Sequence, residues 1–450
     1  MSIFRAYDIR GIYGKDLTEE LAFKIGKALG TFLKGRKTVA VGHDTRPSSP
    51  SLTQNIISGL ISTGCNVIFL GLVPNPVAYF YAWKKKIFGC YITASHSPVE
   101  WNGVKIFKPN GLSFSDKEIK AIEKIVKSEK FIEGKGKVKN EKNPLRDYSK
   151  FLKEKIGKVK GKILIDFLGG AGSKVVFLLK DMGLDLIVLH EKPDASLYGF
   201  HKFESGEDIL KLAIKNVKRE DVDFGVALDC DGDRSFFIDP KGNLIDASLM
   251  CAIFIEDLLK KNGKIVLTHD CASELEKLVK KKKGKLIWSR IGHNFIEKKV
   301  WEEKALFAGE ESSHFYFNIF YPFSDGILSA LYLCKILNKT GKRLDELISQ
   351  FKLNPIKKIY INALTDENKE KIVEKLRKKF SRAIDVGDGI KIKLNKSEWV
   401  LIRMSQTLPE INLCAEAMNE KRLEKIVEKY SKIIEKYLNY YRKKGSKWLK

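Results

Sequence analysis

Cysteine is scarce in this sequence, and no two cysteines stand close together. The 450 residues contain seven cysteines, an odd number, and there is no CxxC pair. They are Cys65, Cys90, Cys230, Cys251, Cys271, Cys334 and Cys414. A scattered, odd set argues against a disulfide framework and against a structural zinc site, and it predicts buried thiols in a reducing compartment.

Long apolar runs are also missing. The first residues, MSIFRAYDIRG, contain no basic segment followed by an apolar run and a small-residue cleavage site. Stretches such as Ile163 to Leu168 and Val222 to Leu228 have the length of strands and are far too short to cross a bilayer. We therefore expect a protein that is neither exported nor bound to a membrane, with a cytoplasmic location.

Acidic residues are too few to balance the basic ones. The chain has 82 lysines and arginines against 56 aspartates and glutamates, a formal net charge of +26. Such a charge attracts anions, phosphorylated ones among them. The lysines alternate with glutamates in predicted helices such as EKIVEKLRKKF, and they do not gather into a nucleic-acid recognition motif. We therefore expect no nucleic-acid partner, and interpret the composition as a Lys- and Glu-rich surface of the kind found in thermophile proteins.

A pattern of apolar strand, polar turn and amphipathic helix occurs three times. The copies are TVAVGHDTRPSS, KILIDFLGGAGS and KIVLTHDCASEL, and the next strands are NVIFLGLV, DLIVLH and KLIWSR. This order predicts βα units in parallel, doubly wound sheets. From Ile356 the pattern changes to the strands KKIYINAL, IKIKL, EWVLIRMS and EINLCAEA with a long final helix. That part predicts an α+β domain with an antiparallel sheet.

The stretch CYITASHSPVEWNGVK, Cys90 to Lys105, carries a candidate nucleophile. Its strand is expected to end near Ser95, because Pro98 lacks a backbone donor and interrupts the pattern. Ser95 would then lie on a loop at the carboxyl end of a strand, which is the edge where open α/β sheets bind ligands. A serine that only caps a turn shows the same local pattern. The motif alone therefore leaves both interpretations open.

A second stretch, ALDCDGDRSFFIDP, carries a candidate metal site. Asp229, Asp231 and Asp233 alternate directly after an apolar strand, and carboxylates this close repel one another unless a cation lies between them. The stretch is not an EF-hand, because Arg234 stands at the glycine position and Pro240 at the position of the bidentate glutamate. The pattern predicts a site for a hard divalent cation and argues against a calcium-buffering EF-hand.

A serine hydroxyl is a weak nucleophile, so another group must manage its proton. His96 is adjacent in sequence and would point away from Ser95 in an extended chain. Lys105 is better placed if the chain turns at Asn102 and Gly103 and brings it back. We therefore expect a turn at these two residues and Lys105 near the serine.

Together these motifs resemble the α-D-phosphohexomutase superfamily of phosphoglucomutases and phosphomannomutases. FRAYDIRG, TASHSP, DCDGDR, GEESSH and RMSQTLP occur in the order of that family, over Phe4 to Glu416. The resemblance implies four domains around a central cleft, three related mixed α/β domains and a smaller C-terminal α+β domain. We predict a phosphoserine domain, a metal-binding-loop domain, a sugar-recognition domain and a phosphate-binding domain at residues 1–138, 139–242, 243–353 and 354–450.

The resemblance also implies roles for residues of the first two domains. It implies that Ser95 is an active-site phosphoserine, and that Asp229, Asp231 and Asp233 hold Mg²⁺ together with the serine phosphate. Lys105 would be a general acid/base. His96, Arg10 and Arg234 would hold or neutralise the phosphoryl group, since phosphoryl transfer needs cations around its equatorial oxygens.

The remaining motifs imply substrate contacts. Five residues would face the sugar: Gly292, His293, Glu310, Ser312 and His314. Three would grip the phosphate that is not transferred: Arg403, Ser405 and Thr407. The sequence departs from the family pattern at Ser313, where a glycine is familiar, at Gln406 for a glycine, at Leu408 for a glutamate, and at Asn412 for a common second arginine. These departures concern substrate preference more than reaction type.

The implied reaction moves a phosphoryl group between the 1- and 6-positions of a hexose phosphate through a hexose 1,6-bisphosphate. That bisphosphate would act as intermediate and activator, and Mg²⁺ would be the cofactor. Glucose and mannose phosphates are the preferred substrates, and a phosphoglucosamine mutase is the alternative. A phosphatase and a non-catalytic, basic sugar-phosphate or nucleic-acid binder stay open as other classes. The sequence gives no oligomeric state.

Overall fold

The computed structural model describes residues 3–5, 8–194, 207–405 and 408–445. Within these residues there are four β-sheets, of six, four, four and five strands, and each is built from one continuous part of the chain. None of the described helices is both long and apolar enough to span a bilayer. The predicted change from βα units to an antiparallel domain near residue 356 is confirmed.

The first sheet has the strand order β1-β5-β4-β2-β3-β6. Its strands and helices are β1 (Ile9–Ile12), α1 (Glu19–Phe32), β2 (Thr38–His43), α2 (Ser49–Ile61), β3 (Asn66–Leu72), α3 (Asn75–Lys85), β4 (Phe88–Ile92), β5 (Trp101–Phe107), α4 (Asp116–Ser128) and β6 (Val138–Asn140). Strand β2 is parallel to β3 and β4, but β5 is antiparallel to β4 and to β1. The parallel strands agree with the predicted βα units, and the sheet as a whole is mixed, as predicted for the first three domains, because the short loop after β4 reverses the chain. The predicted boundary after residue 138 falls inside β6, and the domain boundaries remain predictions.

The second and third sheets repeat one arrangement, three parallel strands with an antiparallel strand at one edge. The second unit contains α5 (Arg146–Ile156), β7 (Gly161–Asp166), a 3₁₀ turn (Ala171–Val175), α6 (Val176–Asp181), β8 (Leu184–Leu189), α7 (Glu207–Arg219), β9 (Phe224–Leu228) and β10 (Ser235–Ile238). The third contains α8 (Ala247–Leu258), β11 (Lys264–Thr268), α9 (Glu274–Lys281), β12 (Lys285–Ser289), α10 (His293–Glu303), β13 (Phe307–Gly309), β14 (Phe315–Tyr316), α11 (Gly326–Thr340) and α12 (Leu344–Ile348). The orders β10-β9-β7-β8 and β12-β11-β13-β14 are equivalent, as the repeated sequence pattern predicts.

The fourth unit is an antiparallel sheet covered by two helices. It contains β15 (Ile356–Asn362), α13 (Asp366–Lys379), β16 (Ile384–Asp385), β17 (Gly389–Lys393), β18 (Trp399–Met404), β19 (Glu410–Glu416) and α14 (Glu420–Gly445). Its strand order is β15-β19-β18-β17-β16, and every neighbouring pair is antiparallel. The short strand β16 is not anticipated by the sequence pattern.

One large core joins the first three units, while the fourth unit has a core of its own. Phe80 of α3 and Tyr148 of α5 contact each other and Tyr321 in the shared core. The hydroxyls of Tyr148 and Tyr321 both donate to the buried carboxylate of Asp325, at 2.8 and 2.7 Å. The loops of the first three units are therefore carried by one packed frame.

Candidate active site

Ser95 lies on the loop between β4 and β5, as expected from its sequence. Its side chain is buried, and its Oγ donates a hydrogen bond of 2.9 Å to Oδ2 of Asp229 in the second unit. The backbone at Ser95 has φ of +49°, in the left-handed region that non-glycine residues seldom adopt. The serine hydroxyl is thus aimed at the predicted metal loop by an unusual backbone conformation.

Asp229, Asp231 and Asp233 form the turn between β9 and β10. All three are buried, and one carboxylate oxygen of each lies within 4.8 Å of the others. Burial, followed by the charges of Asp231 and Asp233, raises the pKa of Asp229 well above its usual value. The turn therefore concentrates negative charge that a cation would stabilise.

The residues of this turn fit a hard divalent cation. Oδ1 of Asp231 is buried and has no hydrogen-bond partner among the residues that the structure describes. The available donors, three carboxylates and the adjacent Ser95 hydroxyl, are all oxygens, which is the ligand type that Mg²⁺ prefers. An ion here would give the orphaned oxygen a partner and relieve the repulsion among the aspartates.

Lys105 reaches the same turn from β5. Its Nζ donates to Oδ2 of Asp231 at 2.9 Å and to Oδ2 of Asp233 at 2.8 Å. Burial opposes its charge, but the two carboxylates outweigh burial, so the pKa of Lys105 is raised. The same lysine, with His314, holds the pKa of Asp233 well below its usual value despite burial.

The expected turn at Asn102 and Gly103 is wrong. Both residues lie within β5, and Gly103 pairs with Arg10 of β1. A Cβ at Gly103 would lie 2.4 Å from the carbonyl oxygen of Ile9 and 2.9 Å from that of Thr93, so glycine permits a close approach of strands here. The chain reverses in the loop between β4 and β5, and this reversal brings Lys105 near Ser95. The Asn-Gly pair wrongly indicated a later position for the reversal.

Arg234 connects the aspartate turn to two histidines. Its Nη2 donates to Nδ1 of His96 at 2.7 Å, and its Nε donates to Nε2 of His314 at 3.2 Å. Burial, followed by the nearby arginines, lowers the pKa of His96 well below its usual value. His96 is therefore neutral and can accept hydrogen bonds, while Arg234 supplies the positive charge.

Arg10 brings a second guanidinium to the Ser95 loop. It lies on β1, donates to Oδ2 of Asp8 at 2.6 Å, and donates to Oγ of Ser97 at 3.0 Å. Like Arg234, it lines the cleft in front of Ser95. Both arginines stand where a phosphoryl group on Ser95 would need positive charge.

The GEESSH motif forms the turn between β13 and β14. Glu310 is buried and accepts a 2.5 Å hydrogen bond from the Tyr316 hydroxyl, while Ser312 Oγ lies 2.9 Å from Nδ1 of His314. Ser313 has φ of +65°, a conformation that costs glycine little. A glycine would therefore fit this position without strain, and the serine adopts a left-handed backbone here.

Gly292 and His293 lie at the start of α10. Gly292 is the residue before the helix and has φ of +127°, which favours glycine. Burial, followed by the charge of Lys105, lowers the pKa of His293 to about 3. This histidine is therefore an uncharged hydrogen-bonding group on the cleft wall.

The predicted phosphate grip lies in the fourth unit. Arg403 of β18 donates to both carboxylate oxygens of Asp388, at 3.0 and 2.5 Å. Ser405 Oγ accepts a hydrogen bond from the backbone of Leu408, and Lys369 donates to the carbonyl oxygens of both. Thr407 lies outside the described residues, as does Gln406.

One cleft of about 620 Å³ brings these groups together. Its walls carry Ser95 of the first unit, Arg234 of the second, Glu310 of the third and Arg403 of the fourth. Within the described residues it is also lined by the other predicted site residues apart from the aspartates, namely Arg10, His96, Lys105, Gly292, His293, Ser312, His314 and Ser405. The aspartates lie beside this wall: Asp229 accepts the hydrogen bond from Ser95, and Asp231 and Asp233 lie next to Asp229.

Three residues near Ser95 escaped sequence reasoning. Asn75, at the start of α3, donates from its backbone to the Asp231 carbonyl and from its side chain to Oδ2 of Asp233, both at 2.8 Å. Asp44 and Arg46 follow β2 in the stretch GHDTRPSS. Arg46 donates a hydrogen bond to the carbonyl oxygen of Ser95, and Asp44 accepts one from Thr93 just before it. For Asp44 and Arg46 the sequence signal was charge placed shortly after a buried strand.

Comparison with known proteins agrees with this arrangement. The chain matches family models described as phosphoglucomutase/phosphomannomutase alpha/beta/alpha domains I, II and III, over residues 1–133, 145–242 and 246–353. These ranges contain the first three sheets apart from strand β6 of the first sheet.

Relatives match the chain over nearly its whole length. A phosphoglucomutase/phosphomannomutase of Thermococcus kodakarensis is 32% identical over 97% of this chain and 99% of its own. A phosphoglucosamine mutase of Clostridium botulinum is 31% identical over 96% of this chain and 98% of its own. A crystal structure of a phosphoglucomutase/phosphomannomutase family protein from Burkholderia thailandensis superposes with a TM-score of 0.86, at 26% identity and 97% coverage of both chains.

Proposed function

The chain belongs to the phosphoglucomutase/phosphomannomutase family, and from this premise we propose that it isomerises hexose 1-phosphates and hexose 6-phosphates. Phospho-Ser95 would transfer its phosphoryl group to the free hydroxyl of the sugar and form a hexose 1,6-bisphosphate. The other phosphate of that intermediate would then return to Ser95. Glucose and mannose phosphates are the proposed substrates.

One observation carries this proposal. The Ser95 hydroxyl donates to Asp229, and two further buried carboxylates and Lys105 lie at the same point of the cleft. Asp229, Asp231 and Asp233 would hold Mg²⁺, and the ion would supply positive charge to the phosphoryl oxygens. A structural serine would need none of these groups.

Lys105 fits the role of an acid at this point. In the first transfer the bond between phosphorus and the serine oxygen breaks and a bond to a sugar hydroxyl oxygen forms, so the serine oxygen takes up a proton and the sugar hydroxyl loses one. In the second transfer the bond between phosphorus and a sugar oxygen breaks and the serine–phosphorus bond forms, so the serine loses its proton and the sugar oxygen takes one up. Asp231 and Asp233 raise the pKa of Lys105, so it holds a proton at neutral pH. Lys105 would donate that proton to Ser95 and recover it in the reverse step.

The phosphatase alternative needs water to reach the phosphoserine. Residues of four units line the cleft together with Ser95, and the serine itself is buried. Exclusion of water protects a phosphoserine from hydrolysis. This enclosure supports transfer to a bound sugar, with movement of the fourth unit as the proposed gate.

The residues proposed to recognise the sugar lie in the third unit. Glu310, Ser312 and His314 offer hydrogen-bonding groups suited to vicinal hydroxyls. Glucose, mannose and glucosamine phosphates differ at C2. The similarity to a phosphoglucosamine mutase keeps glucosamine phosphate as the second candidate substrate.

The first test is a coupled turnover assay. The protein is incubated with Mg²⁺, glucose 1-phosphate and a trace of glucose 1,6-bisphosphate, and glucose 6-phosphate is followed. We expect isomerisation, and parallel assays with mannose 1-phosphate and glucosamine 1-phosphate rank the sugars. Release of free phosphate without isomerisation would favour the phosphatase, and no turnover with any of the three would favour a binder.

Lys358 is a proposed further contact for the phosphate that is not transferred. It lies on β15 beside Cys414, two residues from Tyr360, which is paired with Asn412, and all of these residues line the cleft with Arg403. Among the described residues that line the cleft, Lys358 is the one lysine or arginine without a carboxylate at ion-pair distance. The ammonium group of Lys358 would supply the positive charge that an arginine at position 412 would otherwise provide.

We expect Lys358→Met to raise KM for glucose 1-phosphate and glucose 6-phosphate about tenfold and to leave kcat within twofold. Tenfold corresponds to about 1.4 kcal/mol of binding, the size of a hydrogen bond to a charged group. Lys357→Met is the matched control, because Lys357 is exposed on the other face of the same strand. Equal KM values for the two variants would show that Lys358 does not contact the substrate.

A further inference from the structure

We propose that Asp44, Arg46 and Thr93 are positioning residues that hold the Ser95 loop in its unusual conformation and in register with the aspartate turn. This inference rests on the proposed function, because it concerns how the serine is presented for phosphoryl transfer. None of the three side chains needs to contact the substrate. They act through the backbone of Ser95 and through Cys230 of the aspartate turn.

Arg46 holds one loop through four hydrogen bonds. Its side chain is fully buried. One terminal nitrogen donates to the carbonyl oxygens of Ser95 and Ser97 at 2.6 and 2.7 Å, and the other donates to those of Pro98 and Trp101 at 2.6 and 2.9 Å. Three of these bonds end on the segment that joins β4 to β5, and the fourth ends on Trp101, the first residue of β5. The planar guanidinium therefore fixes the path of this segment from inside.

Thr93 transmits the same restraint to the serine itself. The backbone nitrogen of Ser95 donates to Oγ1 of Thr93 at 2.8 Å, and Oγ1 of Thr93 donates to Oδ2 of Asp44 at 2.7 Å. A residue with φ of +49° persists only where its surroundings impose that conformation. The hydrogen bond from the serine nitrogen and the one to the serine carbonyl from Arg46 together impose it.

Asp44 connects the serine loop to the aspartate turn. Besides Thr93, its Oδ2 lies 3.2 Å from Nε of Arg46 and accepts a 3.5 Å hydrogen bond from the thiol of Cys230. Cys230 stands between Asp229 and Asp231 in the sequence. A single carboxylate thus contacts the group that orients Ser95 and the turn that carries the predicted metal ligands.

A connection between the Ser95 loop and the aspartate turn is needed for geometric reasons. Ser95 and Asp229 belong to different units, yet their side chains meet at 2.9 Å. A displacement of about 1 Å between reacting groups can cost about a hundredfold in rate. A buried ion pair adds little net stability compared with well-packed apolar residues. The arrangement of Asp44 and Arg46 is therefore better explained by positioning than by stability.

The test uses two variants of Thr93 in the full-length protein. Thr93→Val keeps the shape of the side chain and removes both hydrogen bonds, whereas Thr93→Ser keeps the hydroxyl. We expect Thr93→Val to lower kcat, and the rate at which glucose 1,6-bisphosphate phosphorylates Ser95, about a hundredfold. KM for glucose 1-phosphate should stay within threefold, and Thr93→Ser should retain both rates within about fivefold.

Thermal unfolding and a variant of Arg46 separate positioning from folding. If Thr93→Val is folded, with an unchanged KM, the loss in kcat belongs to geometry. Arg46→Lys should show the same loss in kcat, because one ammonium cannot supply the two parallel pairs of donors. Wild-type kcat in Thr93→Val, or a fall in kcat that only follows the unfolded fraction, would overturn the inference while leaving the mutase intact. A wild-type protein that is inactive with all three sugars would overturn the proposed function and this inference together.

Discussion

Ser95→Ala is expected to lower mutase activity by about four orders of magnitude or more. Removal of a covalent nucleophile costs this much because the remaining groups can bind and polarise the substrate but cannot carry the phosphoryl group between positions. The measurement is turnover of glucose 1-phosphate with Mg²⁺ and glucose 1,6-bisphosphate. Mass spectrometry of the intact protein should show an added phosphate on the wild type and none on the variant.

Ser97→Ala is the matched control for this experiment. Ser97 lies on the same loop, and its Oγ accepts a hydrogen bond from Arg10 that the alanine variant cannot form. A hydrogen bond from a charged donor is worth about 1.5 kcal/mol, so activity should fall by about tenfold. Equal losses in the two variants would indicate that the loop, and not the Ser95 hydroxyl, carries the effect. Full activity in Ser95→Ala would place the phosphoryl carrier elsewhere.

Removal of divalent cations should have the second-largest effect, a loss of at least about a thousandfold that Mg²⁺ restores. Three buried carboxylates lie close together in the aspartate turn. Burial, followed by the charges of Asp231 and Asp233, raises the pKa of Asp229 well above its usual value. A bound cation stabilises that charge in the folded state only. A ligand at a hundred times its Kd adds about 2.7 kcal/mol to the free energy of unfolding. Mg²⁺ should therefore raise Tm as well as activity.

The control for the metal experiment is a pair of aspartate variants. Asp231→Asn should abolish both the rise in Tm and the restoration of activity by Mg²⁺, because Oδ1 of Asp231 is a buried oxygen of the turn that has no hydrogen-bond partner among the described residues. Asp221→Asn should leave both unchanged. Asp221 is exposed just before β9, and asparagine tolerates its φ of +45°. An Mg²⁺ response that survives in Asp231→Asn would show that the ion binds outside this turn.

Local patterns were sufficient for the architecture and for much of the candidate site. The βα repeats set the parallel pairs β2/β3, β7/β8 and β11/β12, because strand and helix periodicities are properties of short segments. The acidic turn was visible because three carboxylates directly follow a buried strand. Resemblance over nearly the whole chain indicated the serine, the histidines and the arginines.

Contacts between units were beyond the reach of those patterns. The Asn-Gly pair of β5 looked like a turn, but pairing with β1 keeps it in a strand and leaves the chain reversal to the loop that carries Ser95. Lys105 meets Asp231 and Asp233 across more than a hundred residues of sequence, and Lys358 faces the cleft because of its register with β19. Spacing along the chain carries no record of such register.

The order of residues alone accounts for the class of the fold and for the chemical character of the site, because both depend on which residue types follow which strands. The orientation of Ser95 depended on the folded chain. Arg46 and Thr93 impose its backbone conformation, and Asp44 links it to the aspartate turn of another unit. A local segment cannot hold a left-handed serine by itself, since that conformation is unfavourable until the surrounding structure stabilises it.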